Sequence, residues 1–241
     1  MNIESQTQKN REPEEQNTQS APESESAHAP GISEDVALAL LRSPDVTAEA
    51  LAQLAKNPIA SMSRKVIIGL AAHQRTPRHV AVPLLRRMFT FDLMQMALAP
   101  AVAPDVKRAA EEQILTRLEA LPTGQKITLA RRASGRVAAG LLQDSDRRVI
   151  SAALDNAKLT ESLVVQGLMK PNPPETLFVL ASEHSKWSQR REVQIALLRS
   201  ENTPLERAVD FARNFSPEFL CEVMPKERSS VLISQLGKTT E

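Results

Sequence analysis

The sequence predicts an all-α protein, a right-handed superhelical solenoid of short antiparallel helices preceded by a disordered N-terminal arm. Three observations carry that expectation. First, one helix-turn-helix pattern occurs twice. Residues 66–88 (VIIGLAAHQRTPRHVAVPLLRRM) and 193–215 (VQIALLRSENTPLERAVDFARNF) align without a gap at an offset of 127 and are identical at eight positions. These are Val66/Val193, Ile68/Ile195, Leu70/Leu197, Thr76/Thr203, Pro77/Pro204, Ala81/Ala208, Val82/Val209 and Arg86/Arg213. Second, aromatic residues make up 3%, with no Tyr and only seven Gly. Strands favour β-branched and aromatic residues, and the Ala- and Leu-rich middle of the chain leans to helix instead. Third, helix start and stop signals recur along the whole chain after residue 33.

Residues 1–32 read as a separate segment. The first thirty contain six Glu against Lys9 and Arg11, and only five apolar residues. Such a stretch buries too little surface to offset its ordering entropy. It reads either as an acidic interaction arm or as a solubilising tail. The total is 30 Lys plus Arg and 29 Asp plus Glu, so the remainder holds 28 basic and 23 acidic residues. An acidic tail thus precedes a mildly basic body.

Residues 33–241 read as one helical repeat domain, with the duplicated units at about 60–100 and 187–223. The expected helices are 34–42, 48–56, 61–73, 77–88, 91–99, 104–119, 124–132, 135–143, 146–155, 161–169, 174–183, 188–200, 204–214, 217–223 and 227–235. Thr47, Thr76, Thr160 and Thr203 are candidate N-caps, whose side-chain oxygen accepts from the free amides of the first turn. Pro77, Pro104 and Pro204 suit the first helical position, where the missing N–H has no helical partner. Asn57-Pro58, Ala99-Pro100, Lys170-Pro171 and Met224-Pro225 are stops. Pro83 falls inside a helix, where it costs about 3 kcal/mol and bends the chain. Helices this short are marginal alone; each copy needs neighbours to cover its apolar face, which is the logic of a repeat array.

The segment LLQDSDRRVISAALDN (141–156) resembles a HEAT-repeat hairpin, with an acidic turn, basic residues and an Ala-rich second helix. LLRSPDVTAEALAQLAKNP (40–58) is similar to the bacterial leucine-rich repeat variant. The resemblance covers roughly 33–225 and implies a fold more than a function. An iron–sulfur cluster of the latter family is not carried over, because Cys221 is the only cysteine. Helix starts at 47, 76 and 103 suggest hairpins of ~28 residues. The 127-residue offset then spans nine helices, an odd number that puts the two copies on opposite faces. Three-helix units of ~42 residues, similar to armadillo repeats, or one helix over 124–143 kinked at Gly135, both remain open.

Four dibasic pairs fall at predicted helix starts: Arg64-Lys65, Lys107-Arg108, Arg147-Arg148 and Arg190-Arg191. Cations there oppose the helix dipole by ~0.3–1 kcal/mol each, so something should offset them. One reading is a ladder of ion pairs to acidic turn residues such as Asp105, Asp144 or Asp146. The other is a basic stripe for an acidic peptide, phosphate or nucleic acid. Arg86-Arg87 and Arg131-Arg132 lie at helix ends, where they complement the dipole. Trp187 reads as a packing residue ahead of a helix or as an interface anchor. Glu111-Glu112 reads as a solvated face supported by Arg108. Cys221 reads as a small buried hydrophobe.

No Gly-rich phosphate loop or GxSxG motif occurs, and the four His form no metal-ligand spacing. No catalytic, metal or cofactor set is expected. The leading expectation is a non-catalytic scaffold that binds another protein, an acidic segment in particular, through Arg64, Lys65, Lys107, Arg108, Arg147, Arg148, Trp187, Arg190 and Arg191. Nucleic acid is the second expectation. Aromatic platforms for single strands are scarce, which leaves binding through the duplex backbone open. A repeat-fold enzyme, similar to HEAT-like DNA glycosylases, ranks last. No apolar run approaches the ~18–20 residues of a membrane helix, and the N-terminus lacks a secretory signal pattern. A bacterial-type cytoplasmic protein is therefore expected.

Overall fold

The computed structural model describes residues 32–238, and within them every regular element is helical. The acidic segment lies outside the described residues. The α-helices are α1 (Glu34–Arg42), α2 (Ala48–Lys56), α3 (Pro58–Met62), α4 (Arg64–Ala72), α5 (Arg78–Leu85), α6 (Thr90–Leu98), α7 (Pro104–Leu115), α8 (Thr123–Arg132), α9 (Gly135–Leu141), α10 (Arg147–Leu154), α11 (Glu161–Leu168), α12 (Glu175–Glu183), α13 (Arg191–Leu198), α14 (Leu205–Ala212), α15 (Pro217–Val223) and α16 (Lys226–Lys238). A 3₁₀ turn (Leu118–Ala120) follows α7.

Local chemistry sets most of these boundaries. Ser33, Thr47, Ser63 and Ser216 each accept a backbone N–H three residues on, the N-cap bond that satisfies a free donor. The stretch 61–73, expected as one helix, is interrupted at Ser63, whose hydroxyl begins α4. Pro58 ends α2 as expected but also opens α3, because proline is well suited to a first turn. Ala133 and Ser134 are extended, so α8 and α9 are separate helices rather than one kinked at Gly135. Thr76 and Thr203 are not caps. Both are buried, and Pro77 and Pro204 take the cap position. The Thr203 hydroxyl donates to the Leu197 carbonyl at 2.6 Å, whereas Thr76 Oγ1 has no partner.

The helices pack in two alternating sets. In one, α5 packs on α7, α7 on α9, α9 on α11 and α11 on α13. In the other, α4 packs on α6, α8 on α10, α10 on α12 and α14 on α16. Helices adjacent in sequence join the sets, as in α4 with α5, α6 with α7 and α13 with α14. Leu51, Leu70, Leu93, Ile114, Leu129 and Phe178 are among the side chains sealed between them. Each such burial is worth about 1.5–3 kcal/mol against exposure.

The ends of the helices are tied across the array. The last carbonyls of a helix have no intrahelical donor, and here side chains from later elements supply one. Arg117 donates to Met88 O at 2.7 Å and to Arg86 O at 2.8 Å. Arg207 donates to Ser182 O at 2.6 and 3.1 Å, and Arg228 to Leu198 O at 2.8 Å. Asn156 and Trp187 do the same for α8 and α10, as described below.

The duplicated segments occupy α4–α5 and α13–α14. All eight identical pairs share a burial class: Val66/Val193, Leu70/Leu197, Thr76/Thr203 and Ala81/Ala208 are buried, and Arg86/Arg213 exposed. α13 lies nine helices on from α4, an odd offset, so the copies fall in different sets.

Candidate protein-binding groove

The dibasic pairs do not share one set of helices. α4 and α10 belong to one, α7 and α13 to the other. Their side chains also meet different fates. Arg64 lies bidentate on Asp92, with Nε to Oδ2 at 2.8 Å and Nη2 to Oδ1 at 2.6 Å. Lys65 pairs with Glu34 at 3.4 Å and Arg147 with Glu183 at 3.7 Å. Arg148 folds onto Asp146, the N-cap of its own helix, at 2.8 Å. Acids from the neighbouring helix or the cap therefore offset the dipole at α4 and α10. Asp146 is held below the usual carboxylate range, first by the Arg148 guanidinium and next by the Arg148 backbone N–H, against a smaller opposing effect of burial.

At α7 and α13 the cations are freer. Asp105 faces Arg78 at 3.8 Å. Among the described residues, Lys107, Arg108 and Arg190 make no ion pair. Arg191 sits over the stacked rings of Phe215 and Phe219 at 5.2 and 5.5 Å. Glu111 and Glu112 are paired by Arg136 of α9, at 3.7 and 2.9 Å, rather than by Arg108 of their own helix.

Two residues correct the sequence reading. Trp187 is 1% exposed and its indole N–H donates to Leu154 O at 2.8 Å. It is a core residue that caps α10, so it offers a partner no surface. Cys221 is exposed; α15 turns Leu220 into the core instead.

Two concavities with mainly apolar linings lie along α4 and α6. One, of about 540 Å³, is lined by Ile68, Ala72, Met96, Leu98, Pro100 and Val102. A second, of about 230 Å³, is lined by Met62, Ile67, Ile68, Met88 and Phe89 with Arg64 and Arg87. Both touch Ile68 and Asp92, so they adjoin along α4 and α6 and together are termed the groove. At its mouth Met62 is 81% and Phe89 66% exposed, the two most exposed large apolar side chains among the described residues. Arg64 covers part of the Phe89 ring, 5.3 Å from its centroid. Arg87 reaches across to Ser61 O. The groove is thus greasy along its floor and basic at one rim.

Of its residues the sequence points only to Arg64 as partner-binding; Arg87 reads there as a dipole complement and Pro100 as a helix stop. The available signal was Phe89, placed between Arg86-Arg87 and a helix with an apolar face already supplied by Leu93, Met94 and Met96.

No family model, no curated protein and no solved structure matches the chain. Among the described residues no helix is long and apolar enough to cross a membrane.

Proposed function

We propose that the chain is a non-catalytic α-helical repeat scaffold, a right-handed superhelical solenoid of HEAT-like or leucine-rich-repeat-variant-like hairpins, acting in the cytoplasm. Supporting the solenoid are the alternating packing sets and the end-tying side chains, which reach 23–33 residues along the chain. The α4–α5 and α13–α14 segments are two copies of the ancestral unit.

The observation that carries the function is the groove along α4 and α6. Exposed Met62 and Phe89 at the mouth of an apolar channel fit helix-in-groove recognition, in which an amphipathic segment inserts residues spaced i, i+3 or i+4. At the rim Arg87 carries a charge without an ion-pair partner among the described residues, whereas Arg64 is offset by Asp92, so a segment with an acidic group near Arg87 is favoured. Lys65 adjoins this rim. Lys107, Arg108, Arg147, Arg148, Arg190 and Arg191 do not line the groove, and those without an ion pair, Lys107, Arg108, Arg190 and Arg191, would contribute long-range attraction rather than contacts.

The test is a displayed library of 16-residue peptides selected on the intact protein. Enriched peptides should carry helically spaced apolar residues with Asp or Glu flanks. Binding should weaken about thirtyfold in the M62E/F89E variant, the ~2 kcal/mol of an interface hot spot. A selection with no enrichment, or with peptides that bind this variant equally, refutes the groove as the site.

A further inference from the structure

A second surface is built where α8, α10 and α12 end. Three turns meet there, and buried groups hold them in register. Asn156, 1% exposed, donates to Ala130 O at 2.6 Å and Ala133 O at 3.2 Å, and its Oδ1 accepts the Lys158 N–H at 2.7 Å. Gly135 makes the close approach feasible: a Cβ there would lie 2.2 Å from Lys158 O. Trp187 ties the third turn to the second through Leu154 O, and His184 meets Asp155 at 3.2 Å.

This scaffolding presents exposed Arg131 and Arg132 on the first turn, Lys158 on the second, and Lys186 and Arg190 on the third. Lys158 Nζ rests on Arg132 O at 3.5 Å and Lys186 Nζ lies 3.9 Å from the Trp187 ring centroid. None of the five pairs with a carboxylate among the described residues. The acids nearby are committed or few: Asp155 is on His184, Glu183 on Arg147, and Glu161 and Glu192 open the next helices. Packed helices lie about 8–10 Å apart, comparable to the ~8 Å Debye length of physiological salt, the scale over which cations on neighbouring turns still interact. Their repulsion is only partly screened, and a polyanion relieves it.

We propose that this edge binds the phosphate backbone of double-stranded nucleic acid, without regard to sequence. The exposed neutral groups beside the cations are Ala157, Thr160, Ser185 and Gln189, and the exposed acids are Asp155, held by His184, and Glu183, held by Arg147. A protein partner needs an apolar or aromatic centre to anchor on, and this edge has none. Single strands are held by stacking on exposed aromatics; here the Trp187 ring is buried and the His184 ring, 6.2 Å from it, is tied to Asp155. What remains is positive charge without ion-pair partners on three neighbouring turns, the chemistry that holds a duplex by its phosphates.

The experiment is fluorescence anisotropy of the full chain with a labelled 24-base-pair duplex between 50 and 200 mM KCl. With four to five phosphate contacts, log K should fall against log salt with a slope of about −4, so binding weakens roughly 250-fold over that range. K158Q should reduce the slope by about 1, and R131E/R132E/K158E/K186E should abolish binding at 50 mM. The groove variant M62E/F89E should bind the duplex normally, which separates this site from the peptide groove. Far-UV circular dichroism checks the fold of each variant, and if the fourfold variant is unfolded the slopes of K158Q and K186Q decide. No saturable binding at 50 mM, or binding indifferent to these substitutions, overturns the proposal. Tighter binding to single strands, or displacement by poly-L-glutamate at equal charge, also overturns it and assigns the edge to those ligands.

Discussion

Replacing Asn156 by Ala should destabilise the protein by roughly 3 kcal/mol. The side chain is buried and makes three hydrogen bonds, to two carbonyls of the α8 terminus and from the Lys158 amide. A net hydrogen bond is worth about 1 kcal/mol, and a buried group left unpaired costs about 1–3 kcal/mol. Relaxation and water entry keep the total near the lower sum. For a chain of this size each kcal/mol shifts Tm by roughly 2–4 °C, so N156A should melt about 6–12 °C lower by calorimetry. Asn156→Asp sharpens the test. It keeps an acceptor for the Lys158 amide but turns a carboxylate onto two carbonyl oxygens. The neutral acid is favoured there, so the folded pKa of the new group is raised. The penalty is therefore largest at neutral pH and shrinks as pH falls through that raised value. A Tm loss below about 3 °C for N156A, or an N156D defect that does not ease on acidification, would refute the claim that this residue pins the turns.

Two glycines should respond in opposite directions. Gly124 faces open space in the first turn of α8, so Gly124→Ala should stabilise by about 0.5–1 kcal/mol through chain entropy. Gly135→Ala should cost about 1–3 kcal/mol or more, because its Cβ meets the Lys158 backbone; paired thermal melts check both. The depressed pKa of Asp146 makes a pH prediction. Its stabilisation is fully present above the unfolded value of about 3.9 and is lost as pH falls below that through the lower folded value. Asp146→Asn keeps an N-cap but not the charge, so the Tm gap between it and the wild type should close between pH 5 and pH 2.5. A gap that persists unchanged would show that the Arg148 pairing is not its source.

Elements were legible where the information is local. A capping hydroxyl and the apolar run after it lie within a few residues, so α1, α2 and α15 fall within a residue of expectation. Local signals fail where two chemistries compete for one residue. Pro58 both stops and starts a helix, and Thr76 and Thr203 look like caps but are buried by the turn that follows. Trp187 looked ambiguous because its acceptor, Leu154, lies 33 residues away. The same distance problem hid the fates of the cations. Nothing around Arg64 names Asp92, and nothing around Arg136 names Glu112. The groove was least legible of all, because the exposure of Met62 and Phe89 depends on what fails to cover them. Arg131 and Arg132 were read as dipole complements, a role satisfied within their own helix. Their meeting with Lys158 and Lys186 depends on Asn156 and Trp187.

The end-tying side chains have a direction. Arg75 reaches Val46, Arg117 reaches Met88, Asn156 reaches Ala130, Trp187 reaches Leu154, Arg207 reaches Ser182 and Arg228 reaches Leu198. In each the donor is downstream of its acceptor; Gln74, Gln143 and Arg199 are the reverse. A chain leaving the ribosome emerges N-terminus first. Most of these ties thus bring a donor to carbonyls already made, and close the unit before them. Synthesis and assembly run in the same order, so a nascent chain exposes mainly its newest end.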